Sequence, residues 1–115
     1  MKMYKLKVKF DNEIGDAKSF MKSEQYDKAF RHLERAHILG QKSLKLHTIS
    51  HWYMLVIAIK TGDIKELVGQ LIRLPLGIIG SSVGLVPTGN TGGANVPMFK
   101  RMDIPDDLKE FFKGK

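Results

Sequence analysis

At 115 residues the chain has room for one hydrophobic core and one domain, and its 43% apolar and 27% charged residues are those of an ordinary globular protein. The absence of cysteine excludes disulfides, thiolate metal sites, iron–sulfur clusters and a cysteine nucleophile. A formal charge of +7 is interspersed with acidic residues, apart from four lysines in "MKMYKLKVKF". With no arginine-rich or aromatic-interleaved motif beside it, this reads as a solvated basic surface, and no specific nucleic-acid site is expected. The same start lacks the apolar run of a secretory signal, so a cytoplasmic protein is expected.

Two periods compete in residues 1–10. Tyr4, Leu6, Val8 and Phe10 alternate with lysines as a half-buried strand would, whereas Met3, Leu6, Phe10, Ile14, Ala17 and Met21 recur every three or four residues. The longer period favours a helix. Ser23 is expected to break it and to cap a second helix from about Glu24 to Leu39, which Gly40 should end in a left-handed conformation. Tyr26, Ala29, Leu33 and Ala36, preceded by Ala17 and Phe20, follow the small-residue pattern of a tetratricopeptide repeat, with any amphipathic hairpin as the competing reading. A third helix is expected from about Leu44 to Thr61, between an N-cap at Ser43 and Gly62. Asp63 and Glu66 then form a variant capping box for a fourth, with Ile64, Leu67, Leu71 and Leu74 as its apolar stripe and Pro75 as its kink or end.

The expected fold is therefore all-α: about four helices in tetratricopeptide-like hairpins over residues 11–74, behind the lysine-rich start 1–10. A Gly/Pro-rich segment follows at 75–100 and a short helix at 104–113, where Pro105 suits the first position and Leu108, Phe111 and Phe112 can dock on the core. Two hairpins fall short of a free-standing solenoid, so residues 1–115 form one domain. Residues 74–99 carry no charge, but six glycines and three prolines interrupt them, which argues against a membrane span. Within them "PTGNTGGANVP", residues 87–97, offers backbone N–H groups and the side chains of Asn90, Thr91 and Asn95 to an anion or small polar ligand. It matches no phosphate-loop spacing, and a loop ordered by its own hydrogen bonds is the competing reading.

All four histidines lie between residues 32 and 51. On the second helix His32 and His37 are about 140° apart, while His47 and His51 are neighbours on one face of the third. Folding the hairpin near residue 42 brings His37 level with His47 and His32 level with His51, in two layers ~7 Å apart. Two readings of that cluster compete. Neutral imidazoles suit zinc, copper or nickel, which makes His32, His37, His47 and His51 candidate metal ligands, although no carboxylate stands at ligand spacing. Alternatively, partly buried histidines tie the hairpin together by hydrogen bonds.

"AFRHLERAHILGQ", "HTISHWYML", "GQLIRLPLG" and "VPTGNTGGANVPMFKRMDIPDDL" together resemble the uncharacterised bacterial proteins of domain-of-unknown-function family 3703, over about residues 15–110. The resemblance implies a short tetratricopeptide-like helical protein with histidines at the positions of all four found here. It supplies no activity, and the lysine-rich start departs from its pattern. No serine stands in a nucleophile elbow and no carboxylate pair is apparent, so an enzyme is not expected. A non-enzymatic protein with a histidine-lined transition-metal site, of use in metal handling, is the leading reading; a tetratricopeptide-like module for a protein or peptide partner is the alternative.

Overall fold

The computed structural model describes residues 2–83 and 86–112. Four α-helices follow one another, α1 (Lys2–Lys22), α2 (Tyr26–Gly40), α3 (Leu44–Thr61) and α4 (Ile64–Ser82), and a short 3-10 helix (Asp106–Phe112) closes the described chain. No strand forms among the described residues. Such short connections make consecutive helices antiparallel neighbours. α1 packs on α2, α2 on α3 and α3 on α4. The helical period therefore prevails over the alternation at the N-terminal end, burying Phe10, Ile14 and Ala17 and leaving Met3 and Tyr4 in solvent. Ala17, Ala29 and Ala36 are fully buried, as the small-residue pattern requires of a close helix contact.

The turns differ from expectation at two points. Ser23 does not cap α2, because its hydroxyl donates back to the Phe20 carbonyl. The break is made instead by Glu24 in a left-handed conformation (φ 59°), with Gln25 N–H bonded to Phe20 O and Glu24 N–H to Met21 O. Gly40 is not a left-handed cap either; it belongs to α2, and Gln41 behind it is still right-handed. Its role is steric, since a Cβ there would stand 2.7 Å from Cβ of Leu46 and 3.0 Å from the Phe10 ring. At the other turns the expected caps form, although the Asp63–Glu66 box is one-sided, because Asp63 N–H bonds Ala58 O and the Glu66 carboxylate turns to Gln70 and Ala94. Ser43 accepts from Leu46 N–H, Gly62 is left-handed, and Asp63 accepts from Glu66 N–H.

α4 departs most from its sequence reading. Pro75 lies inside the helix, which continues to Ser82. Nor is the expected apolar stripe the buried one: Ile64 and Leu71 are 67% and 54% exposed. α4 packs against α3 at one end of the helix order, and its buried positions are Gly69, Gln70 and Gly80, with Leu67, Arg73, Leu74 and Gly77 partly covered. No helix among the described residues is long and apolar enough to cross a membrane.

A buried ion-pair network fastens α1 to α2. Glu13 is only 2% exposed and accepts from Nδ1 of His32 at 2.7 Å and from Nε of Arg35 at 2.9 Å, with Lys9 Nζ 3.2 Å away. Arg35 also grips Asp107, which pins the 3-10 helix and its fully buried Leu108 to the bundle. Burial pushes the Glu13 carboxyl up, but His32, Arg35 and Lys9 more than offset this and hold it below the usual carboxylate range. The unfolded chain therefore takes up this proton first as pH falls, so the contribution is present above the unfolded value, about 4.3, and is lost through the lower folded one. Glu13→Gln should cost about 1–3 kcal/mol at pH 7 in urea denaturation, with the difference shrinking below about pH 4.

Candidate metal centre

His37 lies in the last turns of α2, where the main-chain turn at 41–43 brings α3 back alongside it, and His47 and His51 occupy successive turns on the face of α3 that meets it. All three are buried. Their Nε2 atoms form a nearly equilateral triangle, His37 to His47 at 3.0 Å, His37 to His51 at 3.1 Å and His47 to His51 at 3.1 Å. The rings converge edge-on, with centroids 4.6–4.8 Å apart.

The opposite ring nitrogens decide what the triangle is made of. Nδ1 of His37 lies 2.7 Å from the main-chain carbonyl of Asn90, an oxygen that can only accept. Nδ1 of His51 lies 2.6 Å from Oε1 of Gln70. That amide has one consistent orientation, because its Nε2 donates to Gly92 O at 2.9 Å and to the Glu66 carboxylate at 2.7 Å. Both Nδ1 atoms must therefore carry hydrogen, and Nε2 of His37 and of His51 must present lone pairs to each other. Even a hydrogen on Nε2 of His47 could serve only one edge of the triangle at full strength.

A proton is a poor occupant for this space. Burial lowers all three imidazoles below their ordinary range: His37 is held well below it, with His51 and His47 adding to the effect, and His51 is pushed down to about 4. The cluster is consequently neutral at pH 7, the form in which imidazole binds metals. Three nitrogens on metal bonds of 2.0–2.1 Å stand roughly 2.9–3.4 Å apart between octahedral and tetrahedral geometry, a range that contains the observed edges.

His32 is not part of this triangle. Its distance in angle from His37 turns it toward α1, where it bonds Glu13 and stacks on Phe20 at 5.5 Å between ring centroids. The two expected layers of facing histidines thus reduce to one layer, with His37 reaching both residues of α3. Glu13, Asp16 and His32 also lie close enough for a shared ion, but Glu13 is already engaged by Arg35 and Lys9.

The glycine-rich loop supports the triangle. Asn90, expected to offer its side chain to a ligand, is 1% exposed and spends it internally: Oδ1 accepts from Gly92 N–H, and Nδ2 donates to Pro97 O and Lys100 O. Thr91 has its hydroxyl buried without a hydrogen-bond partner among the described residues, and Asn95 lies exposed in a separate groove lined by α2, α3 and the start of α4. The three do not converge on one point. Ala94 N–H meets the Glu66 carboxylate, which completes a chain from loop through Glu66 and Gln70 to His51. Gln70, Gly92 and Arg73 were not singled out from sequence, and the available signal was their spacing on one face of α4 or within the loop.

No curated protein and no solved structure matches the chain. A family model, described as a protein of unknown function (DUF3703), matches residues 4–112. The chain belongs to this family. The span shared with DUF3703 includes the histidine triangle and both of its supports, Gln70 and Asn90.

Gly92 tests the loop's part. It has φ +85°, and a Cβ there would stand 2.5 Å from Cδ2 of His37 and 2.7 Å from its Nε2. Gly92→Ala should destabilise by about 2–4 kcal/mol through backbone strain and ring displacement together. Gly15→Ala, on exposed helix with nothing within 4 Å of the new methyl, should instead stabilise by about 0.5–1 kcal/mol. Urea denaturation of the two variants reads both signs.

Proposed function

We propose that this protein binds a transition-metal ion through His37, His47 and His51 and works in metal handling rather than catalysis. One observation carries the reading: three buried Nε2 atoms 3.0–3.1 Å apart, at least two of them without hydrogen, converge on one point. Lone pairs in that arrangement repel unless a cation lies among them. Three imidazoles without a thiolate suit Zn²⁺, Cu²⁺ or Ni²⁺. Against a catalytic role, no carboxylate or hydroxyl is among the described residues lining the cavity beside the triangle. His32 is left out of the ligand set on the geometry above.

A second reading, a protein-interaction module with structural histidines, draws support from the apolar outer face of α4, where Ile64 and Ile79 are 67% and 60% exposed. Thermal unfolding separates the two. Metal that binds only the folded state at a hundredfold excess over Kd adds about 2.7 kcal/mol, roughly 10 °C for a domain of this size. His47→Ala or His51→Ala should abolish most of that shift, whereas His32→Ala should lower the starting Tm and keep the shift. Gln70→Leu, which removes the acceptor of His51, should weaken metal binding about 10–100-fold. If Zn²⁺, Cu²⁺ and Ni²⁺ all leave the Tm unchanged while the histidine variants lower it, the histidines are struts and the interaction reading stands.

A further inference from the structure

Beside the histidine triangle is a cavity of about 30 Å³, bounded by His37, His47 and His51 on one side and by Arg73, Leu76 and Phe99 on others. That is room for roughly two waters. Arg73 reaches it from the inward face of α4. Among the described residues its guanidinium is held by main-chain carbonyls, Nη2 to Val96 O at 2.8 Å and Nη1 to Gly69 O at 3.3 Å, and the buried Nε has no hydrogen-bond partner. No described carboxylate lies within ion-pair reach of Arg73, and none lines the cavity.

Charge makes this arrangement incomplete. The three imidazoles contribute none, so a divalent ion on them would bring two positive charges into a low-dielectric pocket that already holds the guanidinium. Charges buried together in this way need a counter-charge, and no side chain of the cavity supplies one. Such an ion would also keep an open coordination position, because three protein nitrogens would not fill its shell.

We propose that this cavity takes a small anion of two to four non-hydrogen atoms, which coordinates the metal at its open position and is held by the charge of the Arg73 guanidinium beside it. The proposal rests on the metal reading above and adds the class of ligand that the centre receives. Formate, bicarbonate and azide fit the space and the charge. Sulfate and phosphate, with five heavy atoms, do not.

Cobalt(II) provides the readout, since its visible bands report loading and then change when a further ligand enters the shell. Protein with Co²⁺ bound is titrated with azide, formate and sulfate at fixed ionic strength. The expected result is a saturable band shift with azide and formate and none with sulfate. In Arg73→Met the azide Kd should rise roughly 10–100-fold, the loss of the neighbouring positive charge, and in Arg73→Lys, which keeps the charge, it should rise less. Cobalt bands that ignore azide and formate overturn the proposal and leave the metal reading intact. So does azide binding that is equally tight in both Arg73 variants, or sulfate binding as tight as azide. Absence of cobalt bands in the unmutated protein, together with a Tm that Zn²⁺, Cu²⁺ and Ni²⁺ leave unchanged, removes the metal reading itself, and this proposal with it.

Discussion

Three imidazole nitrogens, at least two of them without hydrogen, have been gathered at one buried point, and the polar structure around them follows from holding them there. Packing alone would not produce that arrangement, because apolar side chains in the same volume would be more stable than converging lone pairs. Each ring must instead be fixed from behind. For His37 and His51 the fixing groups are oxygens that accept the Nδ1 hydrogen and so leave Nε2 bare toward the centre. Ring orientation and tautomer are set by the same bond.

The remainder of the fold can be read as support for those oxygens. Asn90 turns its side chain into the loop, where three hydrogen bonds position the carbonyl that meets His37. Gln70 is clamped by Gly92 and Glu66, and Glu66 in turn is held by Ala94, so the loop also positions the amide that meets His51. α4 crosses the top of the triangle with small residues inward; a Cβ on Gly77 would come within 3.4 Å of the His47 ring. Most of its apolar residues, among them Ile64, Leu71 and Ile79, are consequently displaced to the outside, which explains why the most buried face of this helix is not its most hydrophobic one.

The helices were legible because their periods are long and their ends are marked: Ser43, Gly62 and Asp63 stand where capping chemistry wants them. Clustering of histidines was legible too, through the arithmetic of a hairpin folded near residue 42. Rotation about the helix axis was harder to read, and it separates His32, turned toward Glu13 on α1, from His37, turned toward α3. The supports were harder still. Gln70 and Arg73 are single polar residues on a helix whose apolar stripe points the other way, and Asn90 looks in sequence like a donor for a ligand when its task is internal. Gly40 and Pro75 misled for a related reason: both are common signals of a helix end, and tertiary packing decides here that the helix continues. Ser23 fails as a cap because Glu24 accepts a strained left-handed conformation beside it.

The two oxygens behind the rings differ in kind, and this gives the centre an uneven genetic exposure. The one behind His51 belongs to a side chain, so one codon change at position 70 can delete it outright. The one behind His37 is main chain and is present whatever residue is encoded at position 90; substitution there can only displace it, by undoing the bonds that hold the loop in place. Drift can thus loosen the α4 side of the triangle in a single step and leave the bundle standing, while the loop side yields only when a whole segment of backbone moves.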